Sequence, residues 1–291
     1  FNKFVVGTDP GIDDLIALAL LQKLSPDFEH ALLPTFGNVT GDLAESNCVE
    51  YIEYCAPSWS LLETSSFPLN NSIEHRIPDY FHGKDGLWDV HIKDRMNNKL
   101  SSVTKTIPEI ASFKDAISLG PLTCFSNPEK FNVTNMTIMG GVFNEEGNET
   151  PYAETNIAFD ADGADKYFAN PFDNTFVSPL DATRKVTWTR EQVDAIDVKD
   201  DLTWWIKTAI IAWFENYDHA REKNICLHDP LAIWLLFNQD ACEWVKSGVR
   251  VVTEGEERGR TVLDDSRKEC SIALDLKDPK GIAEDIWKTL F

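Results

Sequence analysis

Short apolar runs alternate along the chain with longer stretches in which apolar residues recur at helical spacing. Each apolar run ends in Gly, Pro, Asn or Asp, and a helical pattern follows it. This alternation predicts repeated βαβ units and therefore a parallel sheet. The predicted strands are Lys3–Val6, His30–Phe36, Asp115–Leu119, Met136–Met139 and Thr175–Val177, and the predicted helices are Asp13–Leu24, Asp42–Cys55, Asp201–Arg221, His228–Phe237 and Lys280–Leu290.

The last part of the chain has a different pattern. Three short apolar stretches, Val249–Thr253, Arg258–Leu263 and Ser271–Asp275, predict a small antiparallel extension. We therefore expect an α/β fold, an open and mostly parallel Rossmann-like sheet flanked by helices, in a single domain over residues 1–291. The segment Thr64–Val103 is rich in loop residues, and loops of that length beside a compact sheet are often functional.

Three carboxylates stand where the first predicted strand meets the first helix. They are Asp9, Asp13 and Asp14, within Asp9-Pro10-Gly11-Ile12-Asp13-Asp14. Their mutual repulsion is tolerable if a cation lies among them, and hard oxygen ligands favour Ca²⁺ or Mg²⁺. A helix N-cap cluster is the plain alternative. An EF-hand loop fails on its spacing, and a phosphatase nucleophile is disfavoured because Gly7 replaces the first Asp of that motif.

The composition of the chain limits the classes of partner that it can bind. The chain of 291 residues is 43% hydrophobic and 26% charged, with a net charge of −21. So acidic a protein lacks the basic face that nucleic acids or anionic membranes require. It suits a neutral small molecule and a bound cation. The six cysteines show no metal-binding spacing and are interpreted as thiols.

Further polar groups recur at predicted strand ends. Taken singly, each also fits a turn or a helix cap. Their joint occurrence at one edge of the sheet indicates a site. The residues are Asn38, the Leu119 carbonyl, Asn148, Glu154, Asn156, His228 and Asp229.

These segments resemble the inosine–uridine nucleoside hydrolase family, and its fungal-type members most. The resemblance spans nearly the whole chain, with the motifs in the family's order. The matching segments are Asp9-Pro10-Gly11-Ile12-Asp13-Asp14, Gly37-Asn38-Val39, His82-Gly83-Lys84-Asp85-Gly86-Leu87, Gly120-Pro121-Leu122-Thr123, Met139-Gly140-Gly141, Gly147-Asn148, Ala153-Glu154-Thr155-Asn156 and His228-Asp229-Pro230.

The resemblance implies calcium-dependent cleavage of the N-glycosidic bond of purine or pyrimidine ribonucleosides, through an oxocarbenium-like transition state. It implies that the ion is held by Asp9, Asp14, Asp229 and the Leu119 carbonyl, and that Asp9 accepts a proton from the attacking water. Asp13 and Asp229 would hold the ribose hydroxyls. The other residues implied around the substrate are Asn38, Met139, Asn148, Glu154 and Asn156 at the sugar, and His228 and His82 at the base.

Two features of the sequence concern which nucleobase the enzyme would accept. A His at position 228 resembles base-nonspecific or pyrimidine-accepting members, since purine specialists tend to have Trp there. Tyr217 and Arg221, four apart on one face of the predicted helix, could also reach the base edge. A core Tyr and an exposed Arg are the alternative.

The chain departs from the family pattern at several positions. Gly7 replaces an Asp, Thr155 a Phe and Cys124 an Asn, while Trp88-Asp89 replaces a small glycine-rich pair. None of these is a predicted calcium ligand.

Two other functions stay open at this stage. One is a calcium-dependent ribose- or nucleoside-binding protein without efficient turnover, and the other is a metal-dependent phosphohydrolase. We expect a homodimer or homotetramer that acts in nucleoside salvage. The expected location is the cytoplasm, with secretion as the alternative because the chain starts at Phe1 and carries several Asn-x-Ser/Thr sites.

Overall fold

The strands of the protein lie mainly in one twisted sheet. The computed structural model describes residues 3–64, 67–70, 76–96, 113–217 and 223–291. The strands are β1 (Lys3–Thr8), β2 (Glu29–Pro34), β3 (Ser60–Leu61), β4 (Asp115–Ser118), β5 (Asn135–Met139), β6 (Asn174–Ser178), β7 (Thr187–Thr189), β8 (Asn224–Cys226), β9 (Cys242–Ser247), β10 (Val249–Val251), β11 (Thr261–Leu263) and β12 (Cys270–Leu276).

The helices flank this sheet. They are α1 (Ile12–Leu24), α2 (Gly41–Tyr54), α3 (Asp79–His82), α4 (Ile92–Arg95), α5 (Thr155–Phe159), α6 (Ala161–Ala169), α7 (Leu180–Thr183), α8 (Arg190–Asp194), α9 (Asp201–Asn216), α10 (His228–Phe237) and α11 (Pro279–Leu290).

The main sheet has eight strands in the order β3-β2-β1-β4-β5-β6-β12-β9. Neighbouring strands are parallel up to β12, and only β9 runs antiparallel to its neighbour. The α/β class, with a mostly parallel sheet and helices around it, is therefore confirmed.

Strand β1 is buried on both faces because helices cover both sides of the sheet. Phe4 and Val6 belong to the apolar cluster that contains α1 and α10, while Val5 belongs to the cluster on the opposite face. This alternation follows from the two-residue period of a strand. Parallel sheets covered on both faces read as continuous apolar runs, which is how the sequence revealed this strand.

The strand order places a switch point beside β1. The chain passes from β1 to β2 on one side and later to β4 on the other. At the carboxyl ends of β1 and β4 the two connections diverge, and the Leu119 amide donates to the Gly7 carbonyl at 2.8 Å there. Such crevices are the usual ligand sites of open α/β sheets.

The predicted antiparallel extension near the C-terminus is confirmed for two of its three strands, while the third lies elsewhere. β12 is a strand of the main sheet, and its antiparallel partner is β9, Cys242–Ser247, which the sequence pattern did not reveal. β10 and β11 form a separate antiparallel pair. The polar residues of β9 alternate irregularly, with several exposed side chains, so its apolar signal is weak.

One helix is shorter than predicted. α9 ends at Asn216, and Tyr217 already has an extended backbone with φ −76° and ψ 138°. The prediction that Tyr217 and Arg221 share one helix face is therefore wrong, and Arg221 lies outside the described residues. All six cysteines lie within the described ranges, and no disulfide joins them. Within the described ranges, no helix combines the length and apolarity needed to cross a bilayer.

Candidate active site

A cavity of about 230 Å³ opens at the carboxyl edge of the sheet, at the switch point. Its wall combines residues that follow β1, β2 and β4 with residues from α3, α10 and the loop before α5. The lining residues that the sequence predicted are Asp13, Asn38, His82, Leu119, Met139, Asn148, Glu154, Asn156, Tyr217, His228 and Asp229. The topology thus brings together side chains far apart in the sequence.

Asp14 is fixed beneath the cavity. Thr8 Oγ1 donates to Asp14 Oδ1 at 2.5 Å, and the Gly11 amide donates to Asp14 Oδ2 at 3.0 Å. Asn38 Nδ2 donates to the same Oδ2 at 3.2 Å. Part of this arrangement is a helix cap, because Asp14 is the third residue of α1 and accepts from the residue before the helix.

Asp9 lies in a space that two glycines leave open. A Cβ at Gly37 would stand 1.8 Å from Asp9 Oδ2, and one at Gly120 would stand 2.5 Å from Asp9 Oδ1. Oδ2 accepts from the Asn38 amide at 2.7 Å. Oδ1 is buried without a hydrogen-bond partner among the described residues.

The carboxyl groups raise one another's pKa. Burial, with Asp14 nearby, raises the pKa of Asp9 well above its usual range, and raises that of Asp13 to about 8. Burial also raises the pKa of Asp229 strongly, with Asp13 as the next cause. Such a cluster is costly when ionised unless a cation lies within it.

The residues fit a metal ion. Asp13, Asp14 and Asp229 each offer a carboxylate oxygen, and these atoms lie within 4.8 Å of one another. Asp13 Oδ1, like Asp9 Oδ1, is buried and unpartnered in the described structure. Three clustered carboxylates with a buried, unsatisfied oxygen among them form an all-oxygen donor set, which suits a hard divalent cation.

One wall of the cavity is built at the start of α5. Glu154 caps this helix: Oε1 accepts from the Asn156 amide at 2.8 Å, and Oε2 accepts from Gly141 and Ile157 at 2.9 and 3.1 Å. Burial nonetheless raises the pKa of Glu154 to about 7. The cap is thus both structural and part of the cavity wall.

Asn156 connects two strand ends. Its Nδ2 donates to the Leu119 carbonyl at 2.7 Å and lies 3.3 Å from the Met139 carbonyl. Asn148 accepts from the Thr155 amide through Oδ1 at 3.0 Å, so its amide NH₂ is the end left for a ligand.

Two histidines line the opposite side. The Ile12 amide donates to His82 Nδ1 at 3.3 Å, so a neutral His82 carries its proton on Nε2. His228 Nδ1 lies 2.7 Å from Thr183 Oγ1. Burial lowers the pKa of His82 to about 3 and that of His228 to about 4, with Arg184 a second cause for His228.

Aromatic rings complete this wall. Tyr217 stacks on Trp213 with centroids 5.1 Å apart, and Phe81 meets the edge of Tyr217 at 4.9 Å. Phe81 also contacts the His82 ring at 4.7 Å. Phe81 and Tyr217 thus place apolar rings, edge to face, beside the histidine wall.

Sequence reasoning missed several residues of the site. Thr8 and Thr183 each hold a predicted site residue, and Arg184 lines the cavity and donates to the Glu146 carbonyl at 2.6 Å. Thr8 ends β1 and Thr183 shortly follows β6, so the strand-end rule that found Asn38 could have found both. Tyr80 and Phe81 gave no signal in a loop-rich segment.

The mostly parallel sheet and its acidic crevice define an α/β protein with a metal-competent pocket at the switch point. Known proteins share the fold of this chain. A sequence profile of the family described as inosine-uridine preferring nucleoside hydrolase matches residues 4–283. The chain belongs to that family.

Individual relatives agree with the family. A probable uridine nucleosidase 2 of Arabidopsis thaliana is 29% identical over 295 residues, covering 95% of this chain and 90% of that protein. A non-specific ribonucleoside hydrolase of Salmonella schwarzengrund is 28% identical over 284 residues, covering 89% and 87%. The protein is therefore an N-glycosidase that hydrolyses ribonucleosides, as the sequence predicted.

Solved structures show the same fold. A purine-preferring ribonucleoside hydrolase from Gardnerella vaginalis superposes with a TM-score of 0.86 at 22% identity, covering 99% of this chain and 98% of that one. A plant nucleoside hydrolase gives a TM-score of 0.82 at 23% identity with the same coverage.

Proposed function

We propose that this enzyme holds Ca²⁺ through Asp9, Asp14, Asp229 and the Leu119 carbonyl, and that it hydrolyses uridine and related ribonucleosides. The observation that carries the proposal is the convergence of three carboxyl groups, those of Asp13, Asp14 and Asp229, with buried and unpartnered oxygens on Asp13 and on the nearby Asp9. When bound, the ion would keep these carboxyl groups ionised and make a nearby water more acidic.

Asp9 is the proposed general base. Its Oδ2 is engaged by the Asn38 amide, which fixes the carboxylate and leaves Oδ1 to accept the proton of the attacking water. Gly37 and Gly120 leave the space in which this carboxylate lies, since a Cβ at either position would overlap it. The fixed orientation of the Asp9 carboxylate therefore supports a general base that is preorganised before the substrate binds.

The sugar side stabilises positive charge. As the glycosidic bond breaks, oxocarbenium character develops on the ribose, and fixed carboxylate and amide oxygens stabilise it. Asp13 and Asp229 are proposed to bind the 2′- and 3′-hydroxyls. Asn156 directs Nδ2 toward the Leu119 carbonyl, which leaves its Oδ1 for the sugar.

His228 is proposed to assist departure of the base. Because Nδ1 is paired with Thr183, Nε2 is the ring atom free to donate to the leaving base. His82, with its proton on Nε2, is a second donor on the same wall. The apolar rings of Phe81 and Tyr217 line the same wall, where either ring can pack against a planar base.

The test is ribose release from uridine, inosine, cytidine and adenosine, with chelated enzyme and with Ca²⁺ restored. We expect turnover to require Ca²⁺ and uridine to be accepted. 2′-Deoxyuridine should be a far poorer substrate, because polar groups built for a 2′-hydroxyl would be left unpaired. Nucleoside binding without ribose release would instead favour the binding-protein alternative, and calcium-independent turnover would overturn the metal assignment.

The remaining parts of the proposal concern the whole molecule. We propose one nucleoside hydrolase domain, assembled as a homodimer or homotetramer. Sedimentation equilibrium of the purified protein measures the assembly directly.

A further inference from the structure

A charged bridge lies behind the wall of the cavity, outside the site described so far. The two ring nitrogens of His91 face two carboxylates: Nδ1 lies 2.9 Å from Glu50 Oε2, and Nε2 lies 2.8 Å from Asp85 Oδ2. The three side chains are only 15%, 3% and 16% exposed. A ring with an acceptor at both nitrogens must carry a proton on both, so His91 is an imidazolium here.

The charges of this bridge are balanced. Lys93 Nζ lies 3.2 Å from Glu50 Oε2, so two cations meet two anions. The two carboxylates raise the pKa of His91 to about 9, and His91 in turn lowers the pKa of Asp85 to about 2 against the effect of burial. A shielded network of this kind holds its members in place more firmly than a surface ion pair does.

The bridge ties one loop to one helix. Glu50 belongs to α2, while Asp85 lies three residues after His82 in the loop that follows α3. The Asp85 carbonyl also accepts from Asn47 Nδ2, on the same helix, at 2.8 Å. The loop is thus fixed to α2 through both its main chain and its side chain.

This loop has a backbone that requires support. Trp88 and Asp89 have φ angles of 53° and 58°, in the left-handed region that residues with a side chain rarely adopt. The Asp85 carboxylate accepts from the Leu87 and Asp89 amides at 3.1 Å each. Trp88 Nε1 donates to the Phe81 carbonyl at 3.1 Å. The same carboxylate that His91 orients therefore holds the strained turn.

The turn in its present form sets the position of the cavity wall. The Trp88 amide donates to the His82 carbonyl at 3.2 Å, and a Cβ at Gly86 would stand 2.4 Å from the Pro10 carbonyl. His82 itself accepts from the Ile12 amide. The loop consequently packs against the acidic motif, and its placement fixes where His82 meets the substrate.

We propose that the Glu50–His91–Asp85 bridge is a positioning device for His82, and that His91 is a positioning residue for the reaction although it does not touch the substrate. This inference rests on the proposed role of His82 at the leaving base. It predicts that loss of the bridge lowers turnover through His82 and not through the fold.

The test is a double-mutant cycle on the full-length, calcium-loaded enzyme. His91→Gln and His82→Ala are compared singly and together, with uridine and with p-nitrophenyl riboside, whose leaving group needs no proton. We expect His91→Gln to lower kcat on uridine by about 10²-fold, the scale of a small misplacement of a reacting group. The loss on p-nitrophenyl riboside should be much smaller, and His91→Gln should add almost nothing in the His82→Ala background.

Two further variants separate positioning from folding. Asp85→Asn keeps an oxygen for the Leu87 and Asp89 amides but removes the charge that faces His91, so it should reproduce the kinetic effect and lower the urea midpoint by no more than His91→Gln does. Lys268→Gln, which removes an exposed ion pair with Asp173 far from the cavity, is the matched control and should leave kcat unchanged.

The outcomes are distinct. If His82→Ala keeps full uridine turnover, the proposed role of His82 fails and the inference with it. If His82→Ala is impaired but His91→Gln and Asp85→Asn are not, the positioning role alone is overturned. A third result is that His91→Gln lowers kcat equally on both substrates, with a loss that adds in full to that of His82→Ala. That result would mean that the bridge only stabilises the protein, and it would also overturn the inference.

Discussion

Asp9→Asn tests the base assignment with the smallest change in shape. In the parent protein the Asn38 amide donates to Asp9 Oδ2 at 2.7 Å, and the carboxamide oxygen of the variant can still accept this hydrogen bond. The NH₂ group takes the space of the unpartnered Oδ1, beside Gly120. The proton acceptor is lost together with one negative charge at the proposed ion, so the Ca²⁺ occupancy of the variant is measured alongside kcat. The expected fall in kcat is about 10²–10⁴-fold, or about 3–5 kcal/mol in the barrier, which is the range for loss of general base catalysis.

The same substitution, although it lowers kcat, should make the metal-free protein more stable. Burial raises the pKa of Asp9, so in the metal-free protein its ionisation opposes folding increasingly as pH rises from its unfolded value toward its folded value. Asn carries no such penalty. Without Ca²⁺, the variant should therefore unfold at a higher urea concentration than the parent, and the difference should grow with pH.

Three measurements decide the matter. Single-turnover kinetics with uridine gives the chemical step, titration calorimetry gives nucleoside binding, and urea unfolding with chelator gives the stability. Retained binding with a collapsed kcat is the pattern of an interaction that acts in the transition state. A near-normal kcat would refute the assignment of Asp9 as base, and Asp13 would be the next residue to substitute.

Three other predictions follow from the site and its surroundings. Asp229→Ala should lose both Ca²⁺ and ribonucleoside binding, and full metal occupancy by elemental analysis would contradict the ligand set. His228→Ala should lower kcat on uridine by about 10²–10⁴-fold while hydrolysis of p-nitrophenyl riboside survives, and equal losses would mean that His228 only shapes the pocket. Because the pKa of His91 is raised to about 9, its stabilising contribution is complete below its unfolded pKa of about 6.5 and is lost as pH rises through the folded value. The urea midpoint of the parent should thus fall more between about pH 7 and pH 10 than that of His91→Gln, and parallel curves would show that His91 is not charged in the fold.

The sequence predicted the parallel part of the fold well because its signals are local. Continuous apolar runs such as that of β1 and β5 identify strands buried on both faces, and each ends within two residues of the predicted position. β9 escaped notice because an edge strand with exposed side chains has neither the apolar run nor a regular alternation. The place of β12 within the sheet depends on pairing between distant segments, which periodicity does not encode.

The candidate site was predictable where its residues follow strands directly. Asn38 and Asp9 are examples, since the rule that ligands bind at strand carboxyl ends applies to each without knowledge of the topology. Phe81 and the Glu50–His91–Asp85 bridge were not predictable, because they depend on how one loop folds against α2. Such contacts arise from tertiary packing and carry no spacing signal of their own.

The position of β12 in the sheet limits the order in which the strands can pair during folding. β12 lies between β6 and β9, so β6 has an open edge until residues 270–276 reach it. During synthesis from the N-terminus, the strands that carry the acidic crevice are present long before that edge is covered. An open strand edge is a template for pairing with another chain. The nascent protein is therefore exposed to misassociation at β6, and conditions that delay pairing of β12 should lower the yield of folded protein before they affect the chemistry of the finished site.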